Sequence, residues 1–176
     1  MNPPTDPPAL PARDTRALPT GDVHAVVARL AEHPFFAGIS REDLARLAEG
    51  GALVEFDADR YALRQGGPGE TFTLLLEGDV DLEVAGAGPP LVIESLHAGD
   101  ALGWSWLFPP HRWAFDAHCR TQVRAIALDA RHLRALIDAD PVLGRELTHR
   151  VAELVADRLR HARLQIVSGH AHDHRA

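Results

Sequence analysis

The sequence predicts a mainly β protein with flanking helices: a double-stranded β-helix of jelly-roll type, followed by one long C-terminal helix. Three observations carry this. Between Ala52 and Leu128 apolar and polar residues alternate: Val80, Leu82 and Val84 with Asp79, Asp81 and Glu83, and Phe72, Leu74 and Leu76 with Thr71 and Thr73. A period of two is what half-buried antiparallel strands require. Turn-forming clusters cut this stretch at 57–59, 66–69, 77–79, 86–90 and 97–100, each rich in Gly, Pro or Asp, and many short strands with regular turns fold as a sandwich or barrel. On both sides the period changes to that of a helix.

Residues 1–21 hold prolines at 3, 4, 7, 8, 11 and 19 and few large apolar groups, a composition that favours a disordered arm. From Asp22, in capping position, Val23, Val26, Val27 and Leu30 recur at helical spacing until Pro34. A second helix follows Ser40, whose hydroxyl can cap Asp43, with Leu44 and Leu47 inward and Gly50-Gly51 at its end. After the strands, Leu133, Leu136 and Ile137 share one face of a short helix that closes before Pro141. The long helix is expected over 141–167, with Val151, Leu154, Val155, Leu159, Ala162 and Ile166 as its apolar stripe and Glu146 and Arg150 placed for an i,i+4 ion pair. That stripe is longer than one small β domain needs, so Val151, Val155, Leu159 and Ala162 are expected to form a homodimer seam. The expected units are therefore the arm 1–21, a domain over 22–140, the helix 141–167 and a flexible histidine-containing tail over 168–176.

Composition narrows the function. The chain has 176 residues and 45% hydrophobic content, enough for one buried core. Its 18 basic residues are all arginine and stand against 25 acids, for a net charge of −7. That balance argues against a general nucleic-acid surface, which needs clustered positive charge, but does not exclude one bound phosphate. Cys119, the one cysteine, has no disulfide partner and reads as a buried small hydrophobe. No apolar run approaches a membrane span and no signal-type stretch begins the chain, so a soluble cytoplasmic protein is expected. No nucleophile elbow, His-Glu-x-x-His or phosphate loop occurs, and the absence of lysine excludes Schiff-base chemistry. The expectation is a non-enzyme, with no specific nucleic acid, no membrane and no defined metal site. The C-terminal histidines 161, 170, 172 and 174, and His111 and His118 around Arg112, lack the spacing and second shell a metal or haem site needs.

One stretch concentrates chemistry. Residues 99–116 hold all three tryptophans, beside Phe108 and Phe115. Gly103 opens a single helical turn, Pro109-Pro110 ends it, and Arg112 follows on a stiff elbow, so backbone N–H groups and one guanidinium can converge on an anion. Arg112 has a second reading, as a turn residue paired to Asp116 or to a backbone carbonyl. The aromatic residues likewise read either as hydrophobic core or as the lining of a ligand pocket.

The order of elements and this cassette resemble the cyclic-nucleotide-binding domain of the cAMP receptor protein family over roughly His33 to Leu164. The resemblance rests on Phe35-Phe36-Ala37-Gly38-Ile39-Ser40 with Asp43-Leu44, on the turn glycines 66, 78 and 99, on Asp59 at another such turn, and on Leu102-Gly103-Trp104-Ser105-Trp106-Leu107 followed by Arg112-Trp113-Ala114. It implies a cyclic-nucleotide-binding-like β-roll in which Leu102, Gly103, Trp104, Ser105, Arg112, Trp113 and Ala114 surround the ligand, a cyclic nucleotide or another anionic small molecule. In the family a glutamate takes the ribose hydroxyl and a Ser/Thr the phosphate. Here Trp104 and Trp113 hold those positions, and Trp106 replaces a small alanine. The family's helix-turn-helix needs two more helices, and nine residues follow Val167, so no DNA reader is expected. The function expected is a small-molecule-sensing regulatory module that signals through its C-terminal helix to a protein partner. The alternatives are a ligand-free dimerisation or assembly adaptor closed by its aromatic residues, and a binder of a hydrophobic or haem-like ligand.

Overall fold

The computed structural model describes residues 15–17, 23–85 and 88–173, with side chains at 23–85, 88–161 and 163. Two antiparallel sheets form the roll. The first has the order β1 (Thr15–Ala17), β2 (Gly51–Phe56), β9 (Val123–Asp129), β4 (Thr71–Glu77), β7 (Ala101–Leu102). The second has the order β3 (Tyr61–Leu63), β8 (Asp116–Cys119), β5 (Val80–Val84), β6 (Leu91–Leu96). Gly66, Gly78 and Gly99 have φ of +78°, +90° and +94°, and Asp59 takes +61° at the turn where it stands for a glycine. At Gly78 a Cβ would lie 2.3 Å from the carbonyl oxygen of Gln122, so that turn admits no other residue without rearrangement.

The arm is corrected at its end: Thr15–Ala17 pair with Phe56 to Val54 as a fifth strand. Composition does not reveal this, because the partner is an open edge some forty positions along the chain. The rest of the arm lies outside the described residues.

The expectation of half-buried strands also changes. Phe72 and Leu74 face α1 (Val23–Glu32), α2 (Arg41–Ala48), α3 (Ala130–Ala139) and the first half of α4 (Pro141–Asp173), together with Leu30, Leu47, Leu133 and Leu147. Leu75, Val54, Phe56, Val80, Leu82 and Trp113 fill the roll interior from the other side. The first sheet is therefore covered on both faces, and Thr71 and Thr73 are as buried as their apolar neighbours. On the second sheet the outward Asp81 and Glu83 are buried too. Arg120 (2.9 Å) and Ser95 (2.6 Å) cover Asp81, and His118 (3.3 Å) and Tyr61 (3.4 Å) cover Glu83.

Capping follows the sequence. Ser40 Oγ accepts the Asp43 N–H at 3.0 Å, Asp129 caps α3 by accepting from His132 N at 2.9 Å, and Asp140 Oδ1 accepts from Val142 and Leu143 at the start of α4. The Arg46 guanidinium, 2.7 Å from Asp140, holds that carboxyl below the usual carboxylate range and pins α2 to the α3–α4 corner. The i,i+4 pair of Glu146 and Arg150 forms at 2.7 Å, and Arg150 also donates to the carbonyls of Phe35 and Ala37.

α4 runs to Asp173, past the expected end at 167 and into the segment expected to be a flexible tail. Ser168-Gly169 lowers helix propensity by about 1 kcal/mol without forbidding the conformation. The seam is corrected at Val151, which is 1% exposed inside its own protomer. The first half of α4 covers the sheet, so that part of the stripe already has a partner. Leu159 is 69% exposed, while the side chain of Ala162 lies outside the described residues.

His33 carries a pH signature. It is buried at the end of α1, where its Nδ1 accepts the Phe35 N–H at 3.2 Å. Burial lowers its pKa from the ordinary imidazole value, opposed by the carbonyls of Leu75 and Asp100. The unfolded chain therefore binds the proton more readily, and the contribution to stability is full above about pH 6.5 and lost as pH falls through that value toward the lowered folded one. Urea unfolding across this window should show stability falling with pH, and His33→Gln should flatten the slope. An unchanged slope would remove His33 as its source.

Candidate functional site

The cassette begins where β7 ends. Gly103 takes φ of +84°, a conformation that favours glycine, and Trp104–Trp106 form one 3-10 turn. A Cβ on Gly103 would lie 2.9 Å from the Thr71 carbonyl oxygen and 3.0 Å from Trp113 Cζ3. The Trp113 indole thus rests directly on the glycine that opens the turn. Backbone bonds fix it there: Trp113 N donates to Gly67 O, and Gly66 N to Trp113 O, each at 2.9 Å.

Six of the seven expected ligand residues, Leu102, Gly103, Trp104, Ser105, Trp113 and Ala114, line one cavity. Its volume is about 20 Å³, room for roughly one water and far below the ~300 Å³ at which small-molecule pockets begin. Arg112 is not in its lining. Its exposed guanidinium turns back and donates to the Gly66 carbonyl at 2.6 Å, which is the turn-residue reading. Asp116 instead accepts from Gln65 N at 2.7 Å and lies 3.5 Å from Arg64. Of the other aromatic residues, Trp106 packs at 6.0 Å on Phe72 in the helix-side core, and Trp104 meets Phe108 edge-on at 6.1 Å.

One charged residue in the cavity wall escaped the sequence reading. Arg158 of α4 has a side chain only 9% exposed; it donates through Nη1 to Glu94 Oε2 on β6 at 2.5 Å and through Nη2 to Ala101 O at 2.7 Å. Its Nε is buried without an acceptor. Burial pulls its pKa down, opposed by the charge of Glu94. His161 lies 3.1 Å from the other oxygen of Glu94, so two α4 side chains converge on one carboxylate. The signal was present in the sequence: position 158 falls seven residues after Val151 and shares its helix face.

An indole covers the glycine, the arginine is bonded elsewhere, and Trp104 supplies no acceptor for a ribose hydroxyl. Cys119 is buried, and burial pushes its thiol up to about 11, so it is not an activated nucleophile. Among the described residues no group of three or more His, Cys, Asp and Glu is placed to hold a metal, and no helix is long and apolar enough to cross a membrane.

A β-roll of two antiparallel sheets, with a glycine-opened cassette between strands and a long helix docked against it, is the architecture of cyclic nucleotide-binding domains. Residues 53–140 match the family model of the cyclic nucleotide-binding domain, and the chain belongs to that family. It is 26% identical over 108 residues to a cAMP-dependent protein kinase regulatory subunit from Emericella nidulans, a match covering 61% of this chain and 26% of that protein. The chain thus spans about a quarter of the length of that curated relative. Among solved structures, a cyclic nucleotide-binding domain from Methylobacillus flagellatus KT superposes with a TM-score of 0.73 at 19% identity, covering 89% of each chain, and shares the fold. The regulatory subunit of a cAMP-independent protein kinase A from Trypanosoma brucei superposes with a TM-score of 0.59 at 25% identity, covering 75% of this chain and 51% of that one.

Proposed function

We propose that this chain is a regulatory module whose cassette is closed to cyclic nucleotides and whose output is carried by α4. Residues 22–140 serve as the domain, α4 as the output arm toward a protein partner or a second copy, in the cytoplasm. The observation that carries this reading is the 20 Å³ cavity with Arg112 outside it. The Arg158–Glu94 contact supports it further, because it seats α4 directly on the roll. The Trypanosoma brucei relative, named as cAMP-independent, is consistent with a family member that does not answer to cAMP.

Tryptophan emission tests this directly. All three tryptophans lie in the cassette, and Trp104 and Trp113 line the cavity, so an entering ligand must contact an indole. Titration with cAMP or cGMP to millimolar concentration should leave the emission unchanged. A saturable change at micromolar nucleotide would overturn the closed cassette and restore the sensing reading.

The output arm has its own test. Leu159 is exposed while Val155 is half-buried at the edge of the core, which suits a seam formed by the outer half of α4 in a homodimer. Leu159→Glu should convert dimer to monomer, since an unpaired charge in such a seam costs several kcal/mol. Analytical ultracentrifugation of the unmodified protein as a monomer at micromolar concentration would reject the seam.

A further inference from the structure

A second cavity, of about 190 Å³, shares no lining residue with the cassette. It lies between the end of α1 and the strands β2, β9 and β4 of the first sheet. Leu53, Leu76 and Pro34 give it apolar walls, and of these Leu76 is half-buried and Pro34 exposed. The charges at its rim are already matched, with Arg29 3.0 Å from Glu32 and Arg124 3.0 Å from Glu77. Nothing there calls for an ion. The volume falls below the ~300 Å³ at which small-molecule pockets begin, which leaves room for a side chain rather than a free ligand.

The chain itself supplies one nearby. Because β1 runs antiparallel to β2, its first residue, Thr15, lies beside Phe56, while Ala17 lies beside Val54, a lining residue of the cavity. The residues before Thr15 therefore leave the sheet next to the opening. In the strand order β1-β2-β9-β4, β1 and β4 stand about 14 Å apart at the usual spacing of ~4.8 Å per strand. Leu10 precedes Thr15 by five positions, an extended reach of about 17 Å, so it can span the cavity as far as Leu76. Apart from Met1, Leu10 is the one large aliphatic side chain in residues 1–14. Pro7, Pro8 and Pro11 beside it favour an extended chain, which lowers the entropy cost of docking. Arg13 and Asp14 bring one charge of each sign to a rim that carries both.

We propose that residues 10–14 cross the end of the first sheet and seat Leu10 in this cavity, making the arm an internal docking segment. The cavity also borders Gly99, in the turn that leads to β7. That turn is tied to Leu75 through Gly99 N and the Asp100 carbonyl, and the next carbonyl, of Ala101, accepts from Arg158 of α4. The docked arm therefore braces the turn on which α4 is seated. Disulfide trapping in the full chain tests this, because the native Cys119 is buried and does not compete. Leu10→Cys with Leu76→Cys should form an intramolecular bridge under mild oxidation. Leu10→Cys with Val142→Cys, exposed at the start of α4 and outside the cavity, should not. Equal trapping at both positions, or none at position 76, would overturn the proposal. So would a bridge between two chains, which would assign the cavity to the arm of a second copy. Trypsin cleavage after Arg13 gives an independent readout: Leu10→Asp should speed it about tenfold, the factor that ~1.4 kcal/mol of lost docking gives. An unchanged rate would remove Leu10 as the anchor.

Discussion

Arg158→Ala is expected to destabilise the protein by about 3 kcal/mol and to loosen the second half of α4. Removing one partner of a buried ion pair leaves the other charge without compensation, and such losses run to ~3–5 kcal/mol. Glu94, whose side chain is 18% exposed, would keep only His161 at 3.1 Å, so the lower end of that range applies. The Ala101 carbonyl would also lose its guanidinium donor. Denaturant unfolding gives the stability, and hydrogen exchange gives the location: amides of α4 beyond about Leu154 should lose protection while those of β4 and β9 keep theirs up to the new global limit. A second comparison isolates the charge. Arg158→Met with Glu94→Leu should recover much of the loss, because an apolar pair avoids the stranded carboxylate. If Arg158→Ala costs under about 0.5 kcal/mol, a surface-like value, the contact does not hold the helix.

The second large effect concerns the cassette rings. Replacing Trp113 by serine and Trp104 by glutamate should open the cavity and supply the hydroxyl and the carboxylate that the family pattern carries at these positions. Trp113 is 7% exposed and rests on Gly103, so its truncation should cost about 3–5 kcal/mol of stability. Circular dichroism must show that the variant remains folded. In return the new groups offer charge-assisted hydrogen bonds of ~1.5–3 kcal/mol each to a nucleotide. The folded double variant should therefore bind cAMP or cGMP at least tenfold more tightly than the unmodified chain. Equal binding would mean that these rings do not close the site.

The alternation of Val80, Leu82 and Val84 and the turn glycines were enough to read the roll from sequence, because a period of two and a positive φ are local properties. The cap at Ser40 and the Glu146–Arg150 pair were legible for the same reason. What escaped depends on partners distant in sequence. Thr15–Ala17 become a strand only because β2 offers an edge. Thr71 and Thr73 are buried only because a second layer covers their face. Val151 looked free for a dimer because the sheet beneath α4 does not show in the helix's own pattern.

The cassette divides in the same way. Its residues Leu102 to Ser105, Trp113 and Ala114 line one cavity. The direction of Arg112 was not legible, since its acceptor is a carbonyl 46 positions earlier. Nor was the filling of the pocket, because aromatic residues in a cassette line or close it according to rotamers that sequence does not specify.

Closure of the cassette is tested most directly by calorimetric titration of cAMP and cGMP into the unmodified chain at physiological salt. No saturable heat is expected up to about millimolar nucleotide, a limit equivalent to roughly 4 kcal/mol of binding free energy. A Kd below about 1 μM for either nucleotide, some thousandfold beyond that limit, would contradict it.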